Sequence, residues 1–255
     1  MISPKTIASP KLLVRQFLMP KSGQDLSECE DAIGLNAANN RFAIADGATE
    51  AFDAGNWARR LAYGWVEIDS CLSLDEFCSW LSDEGRSLQN SWNGLKLPWY
   101  SEEKARAGSF AAFVGVEVEA QENISRWRAI ALGDSCMVHC RNELVLKILP
   151  ITSSAAFSST PILAASNPSA QQLAADRAVV DSGTMQRGDI LILFSDAVAA
   201  WYLKLLETGD TERRLHFGSL LNTENIDDLL CLFEKERSAG QIRDDDLAVI
   251  QIEAC

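Results

Sequence analysis

The chain lacks several residues and patterns that would point to familiar kinds of protein. It has 2 histidines and no Gly-x-Ser-x-Gly sequence, which leaves little room for a Ser-His-Asp hydrolase. No Cys-x-x-Cys pair is present, so we do not expect a zinc site. The 23 basic residues are outnumbered by 36 acidic ones, and the resulting net charge of −13 argues against binding to nucleic acid or to an anionic membrane surface.

Long apolar segments are missing as well. No stretch reaches the ~18 apolar residues that a membrane span requires. The segment up to Pro20 has no continuous apolar core followed by a cleavage site, so we expect no signal peptide. The 7 cysteines are odd in number and scattered among apolar residues, which is typical of reduced thiols. Together these features predict a cytoplasmic protein.

The chain contains enough apolar sequence for a full core. It has 255 residues, of which 47% are hydrophobic, and no repeat or linker divides it, so we expect a single domain over 1–255. Apolar patterns predict strands over 11–19, 32–45, 109–118, 124–132, 135–140, 143–149, 190–194 and 247–252. Helical spacing predicts helices over 55–69, 74–91, 197–207, 211–221 and 224–236, with 92–107 unassigned and 151–176 a loop or short helix. This order favours an α+β sandwich over a parallel α/β fold.

Four short acidic clusters lie at the edges of apolar runs. They are Glu30-Asp31, Asp46-Gly47, Ser195-Asp196 and Asp244-Asp245-Asp246. Such carboxylates either cap strands or converge on a hard divalent cation, because Mg²⁺ and Mn²⁺ prefer oxygen ligands. We favour convergence, since two such ions close together form a hydrolytic centre.

A family resemblance emerges from the order of these clusters. Seven short sequences resemble those of the metal-dependent protein phosphatases of the 2C class, and the resemblance extends from about residue 12 to the end of the chain. They are Glu30-Asp31-Ala32, Ala45-Asp46-Gly47, Gly108-Ser109, Gly133-Asp134-Ser135, Gly188-Asp189, Phe194-Ser195-Asp196 and Asp245-Asp246-Leu247-Ala248-Val249. The resemblance implies a four-layer α+β sandwich, in which two antiparallel β-sheets are flanked by helices.

The resemblance also implies a centre with two Mn²⁺ or Mg²⁺ ions. Asp46 would bridge the ions, while the Glu30 side chain and the Gly47 carbonyl would bind one of them. Asp196 and Asp245 would bind the other. The chemistry implied is attack on phosphorus by a water whose pKa the two ions lower, without a covalent enzyme intermediate.

Two further carboxylates have less defined roles. By the same resemblance, Asp31 would hold water bound to the metal without touching an ion itself. Asp134 is either a ligand of a third ion or a turn residue between the strands predicted over 124–132 and 135–140.

The chain departs from the family at several positions. Ala48-Thr49-Glu50 follows Asp46-Gly47, where the family usually continues with one residue and then Gly-Gly or similar. Ala200 replaces a second aspartate that helps to hold a third ion in relatives. Leu26 stands where many relatives have a phosphate-binding arginine, and Lys21 or Arg15 could substitute for it.

The sequence therefore supports a serine/threonine protein phosphatase acting on a phosphorylated protein. One alternative is a phosphatase-fold module that binds or regulates without catalysis, and a second is an enzyme for a small phosphoester. The Cys231-x5-Arg237 spacing matches the cysteine-based phosphatases, but bulky and acidic residues fill it, and we interpret it as part of an amphipathic helix. The sequence leaves the oligomeric state open.

Overall fold

Two antiparallel β-sheets organise the described part of the chain. The computed structural model describes residues 7–8, 11–68, 73–121, 124–157, 161–223 and 225–255. The strands are β1 Ile7–Ala8, β2 Leu12–Met19, β3 Asp31–Asn36, β4 Arg41–Gly47, β5 Phe110–Glu119, β6 Ile124–Leu132, β7 Cys136–Arg141, β8 Leu144–Leu149, β9 Ala164–Ala165, β10 Val179–Gln186, β11 Ile190–Phe194 and β12 Leu247–Ala254. The first sheet runs in the order β1-β2-β12-β11-β7-β8, and the second in the order β10-β6-β5-β4-β3 with β9 on β5.

Helices cover the outer face of each sheet. The helices are α1 Ala54–Val66, α2 Leu74–Ser91, α3 Trp99–Ala107, α4 Pro168–Ala175, α5 Asp196–Thr208, α6 Thr211–Leu221 and α7 Ile226–Ser238, with a 3-10 turn at Ser154–Ala156. Helices α1 and α2 share an apolar core with the second sheet, and α5, α6 and α7 share another with the first. The four-layer α+β sandwich implied by the resemblance is therefore confirmed.

The core between the sheets is built from alternating strand residues. Ile44 and Val114 of the second sheet lie in one apolar cluster with Leu191, Leu193 and Ile250 of the first. Each of these side chains is excluded from solvent, and the intervening residues of the same strands face the helices. The two sheets are thus held face to face, which fixes the relative positions of their strand ends.

The aromatic face of the first helix packs as the sequence predicts. Trp57, Leu61 and Trp65 are fully buried against the second sheet. The helix ends at Val66 rather than at residue 69, and Ile68 packs at the edge of the same cluster from beyond that end. The Trp57 indole donates to the main-chain oxygen of Ala164 at 2.9 Å, which joins α1 to β9. The prediction of helix 74–91 is confirmed residue for residue, and the Ser73 side chain caps it together with Glu76.

Other sequence predictions need correction. The strand predicted over 32–45 is a hairpin of β3 and β4, because the Asn36 side chain accepts from the amides of Ala38 and Asn39 and turns the chain. Strand β10 was not predicted, since it is an edge strand whose mostly exposed residues lack an apolar run. The unassigned stretch contains α3, and the predicted loop over 151–176 contains β9 and α4. Of the predicted ranges, residues 69, 158–160 and 224 lie outside the described residues.

Free thiols and membrane spans can be assessed for the described residues. Cys29, Cys136 and Cys140 are buried and free, whereas Cys231 and Cys255 are free and exposed, so the cysteines are not all core residues. Cys71 lies outside the described residues. Within the described ranges, none of the helices combines the length and the apolar character needed to cross a bilayer.

Gly34 marks the closest approach of α1 to the second sheet. A Cβ atom at this position would lie 2.1 Å from the main-chain oxygen of Ala62, so a side chain there forces helix and strand apart. We expect Gly34→Ala to lower the free energy of unfolding by about 1–3 kcal/mol. Gly218→Ala in α6 is the control, because its Cβ meets nothing within 4 Å and helix propensity favours alanine. Equal urea midpoints for the two variants would contradict this prediction.

Candidate metal centre

The acidic clusters lie at strand ends that the sandwich brings together. Asp31 begins β3 and pairs with Asp46 near the end of β4, so both carboxylates lie at the open end of one hairpin. Asp196 begins α5 directly after β11, and Asp245 precedes β12, the strand that pairs with β11. Ser195 joins these two strand ends, because its amide donates to the Ala248 oxygen at 3.0 Å and its hydroxyl accepts from the Ala248 amide at 2.9 Å. The closure of both sheets therefore creates one acidic site.

The three consecutive aspartates have different tasks. Asp246 is buried, and its carboxylate accepts from the main-chain amides of Lys21 at 2.9 Å and Glu30 at 2.8 Å. Asp244 accepts from the amide and the hydroxyl of Ser22 at 3.0 and 2.8 Å. These two residues hold the segment between β2 and β3, and Asp245 between them faces the acidic site. The clamp at Asp246 was not predicted, because its partners are more than 200 positions away.

The carboxylates of the site repel one another electrostatically. Burial raises the pKa of Asp46 well above its ordinary value, and the charges of Asp31, Asp196, Asp134 and Asp245 raise it further. A set of carboxylates that raise one another's pKa is destabilising unless positive charge is supplied.

Asp134 belongs to the same group. Burial raises its pKa to about 7, with added repulsion from Asp196 and Asp245 and an opposing effect of Arg243. Its side chain is buried between β6 and β7 rather than exposed in a solvated turn. The structure thus places Asp134 within electrostatic range of the other site residues.

Asp31 carries a buried oxygen that lacks a hydrogen-bond partner among the described residues. Burial raises the pKa of this carboxyl well above its usual range, contact with the Ser195 hydroxyl lowers it, and Asp246, Asp196 and Asp245 raise it. Its Oδ2 atom is inaccessible to solvent and unpaired within the described ranges. Such an atom is costly unless a proton, a water or a cation completes its interactions.

Three basic side chains contact the site. The Lys21 ammonium lies 3.5 Å from Glu30 Oε2 and 3.6 Å from Asp245 Oδ1, so these two carboxylates share one cation. The Arg243 guanidinium lies 2.9 Å from Asp245 Oδ2 and also contacts Asp196 Oδ2. Arg237 is half-buried and donates to the main-chain oxygens of Pro20, at 3.1 Å, and Asp245.

The residues of the site fit hard divalent cations by their chemistry. Among the described residues, no three His, Cys, Asp or Glu side chains stand at the mutual spacing of a formed metal site. Several candidate ligands are instead paired with Lys21 and Arg243. All the donors are oxygens, however, and the unpaired Asp31 oxygen and the mutually raised pKa values indicate a site that lacks positive charge.

Gly47 lies within this arrangement. Its amide donates to the main-chain oxygen of Glu30 at 3.2 Å, and this hydrogen bond joins two of the predicted ligand positions. A Cβ at this position would lie 2.8 Å from the Ala54 carbonyl group at the start of α1, so the close approach requires glycine.

The departures from the family have structural counterparts. Leu26 is half-buried and lines a recess of about 200 Å³ with Ile226 and Leu230 of α7. Arg15 pairs with Glu253 at the other end of β12, and Lys21 is therefore the suggested substitute that lies at the site. Ala200 faces a recess of about 200 Å³ beside Asp196.

Asp189, in contrast, lies outside the acidic site although it forms part of the family-like pattern. It is buried and accepts two hydrogen bonds from Arg141, both at 2.7 Å. Its Oδ2 atom also lies 3.2 Å from His139 Nε2. The Gln186 amide also donates to it, which closes the turn between β10 and β11. Asp189 therefore stabilises the fold at that turn.

Several solved phosphatase structures have a fold similar to that of this chain. The chain is similar to the serine/threonine phosphatase PstP/Ppp of Mycobacterium tuberculosis, with a TM-score of 0.58, 13% identity, and coverage of 95% of this chain and 98% of that one. The catalytic domain of serine threonine protein phosphatase PstP in complex with 2 manganese ions matches with a TM-score of 0.57 and 14% identity, and the match covers 95% of this chain and 99% of that one. A bacterial serine phosphatase matches with a TM-score of 0.53 and 13% identity, and the match covers 94% of this chain and 96% of that one.

Sequence comparison adds no relative. No protein-family model matches the chain, and no curated protein matches it. At these identities the structural likeness concerns the fold, and it agrees with the resemblance noted in the sequence. The described chain has the fold of the metal-dependent phosphatases of the protein phosphatase 2C class.

Proposed function

We propose that this protein is a metal-dependent phosphatase that hydrolyses phosphoserine or phosphothreonine in a protein substrate, through a single domain over 1–255. The observation that carries the proposal is that neighbouring strand ends bear carboxylates that interact electrostatically, namely Asp31, Asp46, Asp134, Asp196 and Asp245. The fold supports it, because solved proteins of similar fold are serine/threonine phosphatases, one of them in complex with 2 manganese ions.

The resemblance divides the candidate ligands between two cations that share Asp46. Glu30 and the Gly47 carbonyl would hold one cation, and Asp196 and Asp245 would hold the other, with Asp134 a further candidate. When bound, two Mn²⁺ or Mg²⁺ ions neutralise charge on the phosphoryl oxygens and lower the pKa of the attacking water.

The protein's own residues contribute orientation and charge. The Asp31 carboxyl is fixed by burial and by Ser195, and its buried Oδ2 has no hydrogen-bond partner among the described residues. Asp246 holds the main chain of Lys21 and Glu30 in place, so both side chains face the site from a fixed segment. Lys21 offsets part of the repulsion between Glu30 and Asp245.

A second function is favoured by one specific observation. Lys21 and Arg243 already pair with three candidate ligands, so internal cations hold these carboxylates together. A phosphatase-fold module that binds a partner without catalysis would need such compensation. Metal binding and turnover distinguish this module from an enzyme.

Hydrolysis measurements test the proposed function. We expect the purified protein to hydrolyse p-nitrophenyl phosphate and a phosphothreonine peptide with Mn²⁺ or Mg²⁺, and EDTA to abolish the reaction. Thermal stabilisation by Mn²⁺ without turnover of either substrate would leave a metal site without general phosphatase activity. The absence of both turnover and stabilisation by Mn²⁺ would contradict the proposal and would favour the binding module.

A further inference from the structure

Arg243 bridges two candidate ligands of the same cation. Its Nη2 atom lies 2.9 Å from Asp245 Oδ2 and contacts Asp196 Oδ2, so one guanidinium group holds both carboxylates. The resemblance had paired these two aspartates on one ion. A divalent cation bound between Asp196 and Asp245 therefore competes with Arg243 for the same oxygens.

The other two basic side chains at the site are fastened differently. Arg237 has 6% of its side chain exposed and donates to main-chain oxygens, which a cation at the carboxylates does not take away. Lys21 is 18% exposed, and besides its two carboxylates it donates to the Thr49 hydroxyl at 3.2 Å. Arg243 is 60% exposed, and its ion-pair partners are Asp196 and Asp245 themselves. It is thus the most readily displaced of the three.

Space for a displaced guanidinium group exists beside Asp196. A recess of about 200 Å³ is lined by Arg243, by Asp196 and by Ala200 and Lys204 of α5. Asp196, Ala200 and Lys204 follow one another at intervals of four positions and share one face of α5. Because residue 200 is alanine, this face is open next to the carboxylate, so Arg243 can leave its partners without entering the core.

We propose that Arg243 is an exchangeable counter-ion, which partly neutralises Asp196 and Asp245 until divalent cations bind them and then binds the phosphoryl group of the substrate. This inference rests on the proposed function. A planar guanidinium group pairs with two phosphoryl oxygens as it pairs with two carboxylate oxygens. The exchange also supplies a phosphate-binding arginine from the segment before β12, whereas position 26 holds leucine.

Calorimetric titration of Arg243→Gln tests both halves of the exchange. The full chain is titrated first with Mn²⁺, and the Mn²⁺-loaded protein is then titrated with inorganic phosphate. We expect the variant to bind Mn²⁺ several-fold more tightly, because a competing cation has been removed. We expect it to bind phosphate about 10- to 100-fold more weakly, because a charged bidentate contact is lost.

Two further variants sharpen the test. Arg243→Lys keeps the charge without the planar pair of donors, so its phosphate affinity should lie between those of the wild type and Arg243→Gln. Arg86→Gln is the matched control, because Arg86 is 64% exposed and pairs with Asp83 on α2. Its affinities for Mn²⁺ and phosphate should equal those of the wild type.

The outcomes separate this inference from the proposed function. If wild-type protein binds neither Mn²⁺ nor phosphate, the proposed function fails and the exchange fails with it. If the wild type hydrolyses phosphoester with Mn²⁺ and Arg243→Gln keeps either affinity unchanged, the exchange alone is overturned. Weaker Mn²⁺ binding by Arg243→Gln also overturns it, since Arg243 would then support the metal rather than compete with it.

Discussion

Replacing Asp46 by Asn is expected to lower metal-dependent phosphate release by about 10²- to 10³-fold or more and to make the protein more stable in EDTA. Asp46 is the position that would bridge both ions, so the neutral amide weakens the whole centre. Without metal the same carboxylate is a source of repulsion, because burial and four neighbouring aspartates raise its pKa. The amide has nearly the same shape, and it removes the repelling charge while leaving the packing intact.

Opposite changes in activity and stability are what identify a charged functional site. The measurements are kcat for p-nitrophenyl phosphate with saturating Mn²⁺ and the thermal midpoint in EDTA at pH 8. Asp83→Asn is the control, because Asp83 is 64% exposed on α2 and pairs with Arg86. Unchanged turnover in Asp46→Asn would refute the metal centre, and a lower midpoint in EDTA would show that Asp46 stabilises the fold.

Stability without metal is expected to fall as the pH rises from about 4 to above 7. Asp31, Asp46 and Asp134 have pKa values raised above those of the unfolded chain, and that of Asp134 is about 7. A carboxyl group with a raised folded-state pKa contributes its full stability below the unfolded pKa of about 3.9 and loses it as the pH rises through the folded pKa. Asp189 and Asp244 have lowered pKa values and act in the opposite direction, but they titrate at lower pH.

Divalent cations should reverse this loss. Metal binds the deprotonated carboxylates, so the stabilisation by Mn²⁺ should be small near pH 5 and large near pH 8. At a free concentration of about 100 times Kd the increase is ~2.7 kcal/mol. Urea denaturation at a series of pH values, with EDTA or Mn²⁺, measures both effects. A flat profile in EDTA, or equal stabilisation by Mn²⁺ at pH 5 and pH 8, would contradict the prediction.

Much of the fold could be predicted because its signals are local. The apolar face of 57–68 and the capped helix 74–91 follow from side-chain spacing and from Ser73 with Glu76. The strand–turn pattern after residue 109 likewise indicates antiparallel strands. The hairpin turn at 37–40 was missed because apolar residues flank it on both sides, although Asn39 and Asn40 favour a turn. The edge strand β10 was missed because it has no buried run.

Local patterns in the sequence predict the order of the acidic clusters and their place at the ends of strands. Which side chains then contact one another depends on tertiary packing. Asp246 binds the amides of Lys21 and Glu30 across more than 200 positions, and Arg243 joins Asp196 to Asp245. Pairs so distant in the chain become neighbours through the packing of two sheets, and no periodicity or spacing encodes that packing. The carboxylates of the acidic site are therefore predictable from the sequence as residues at strand ends. Their basic partners are identified only from the packed structure.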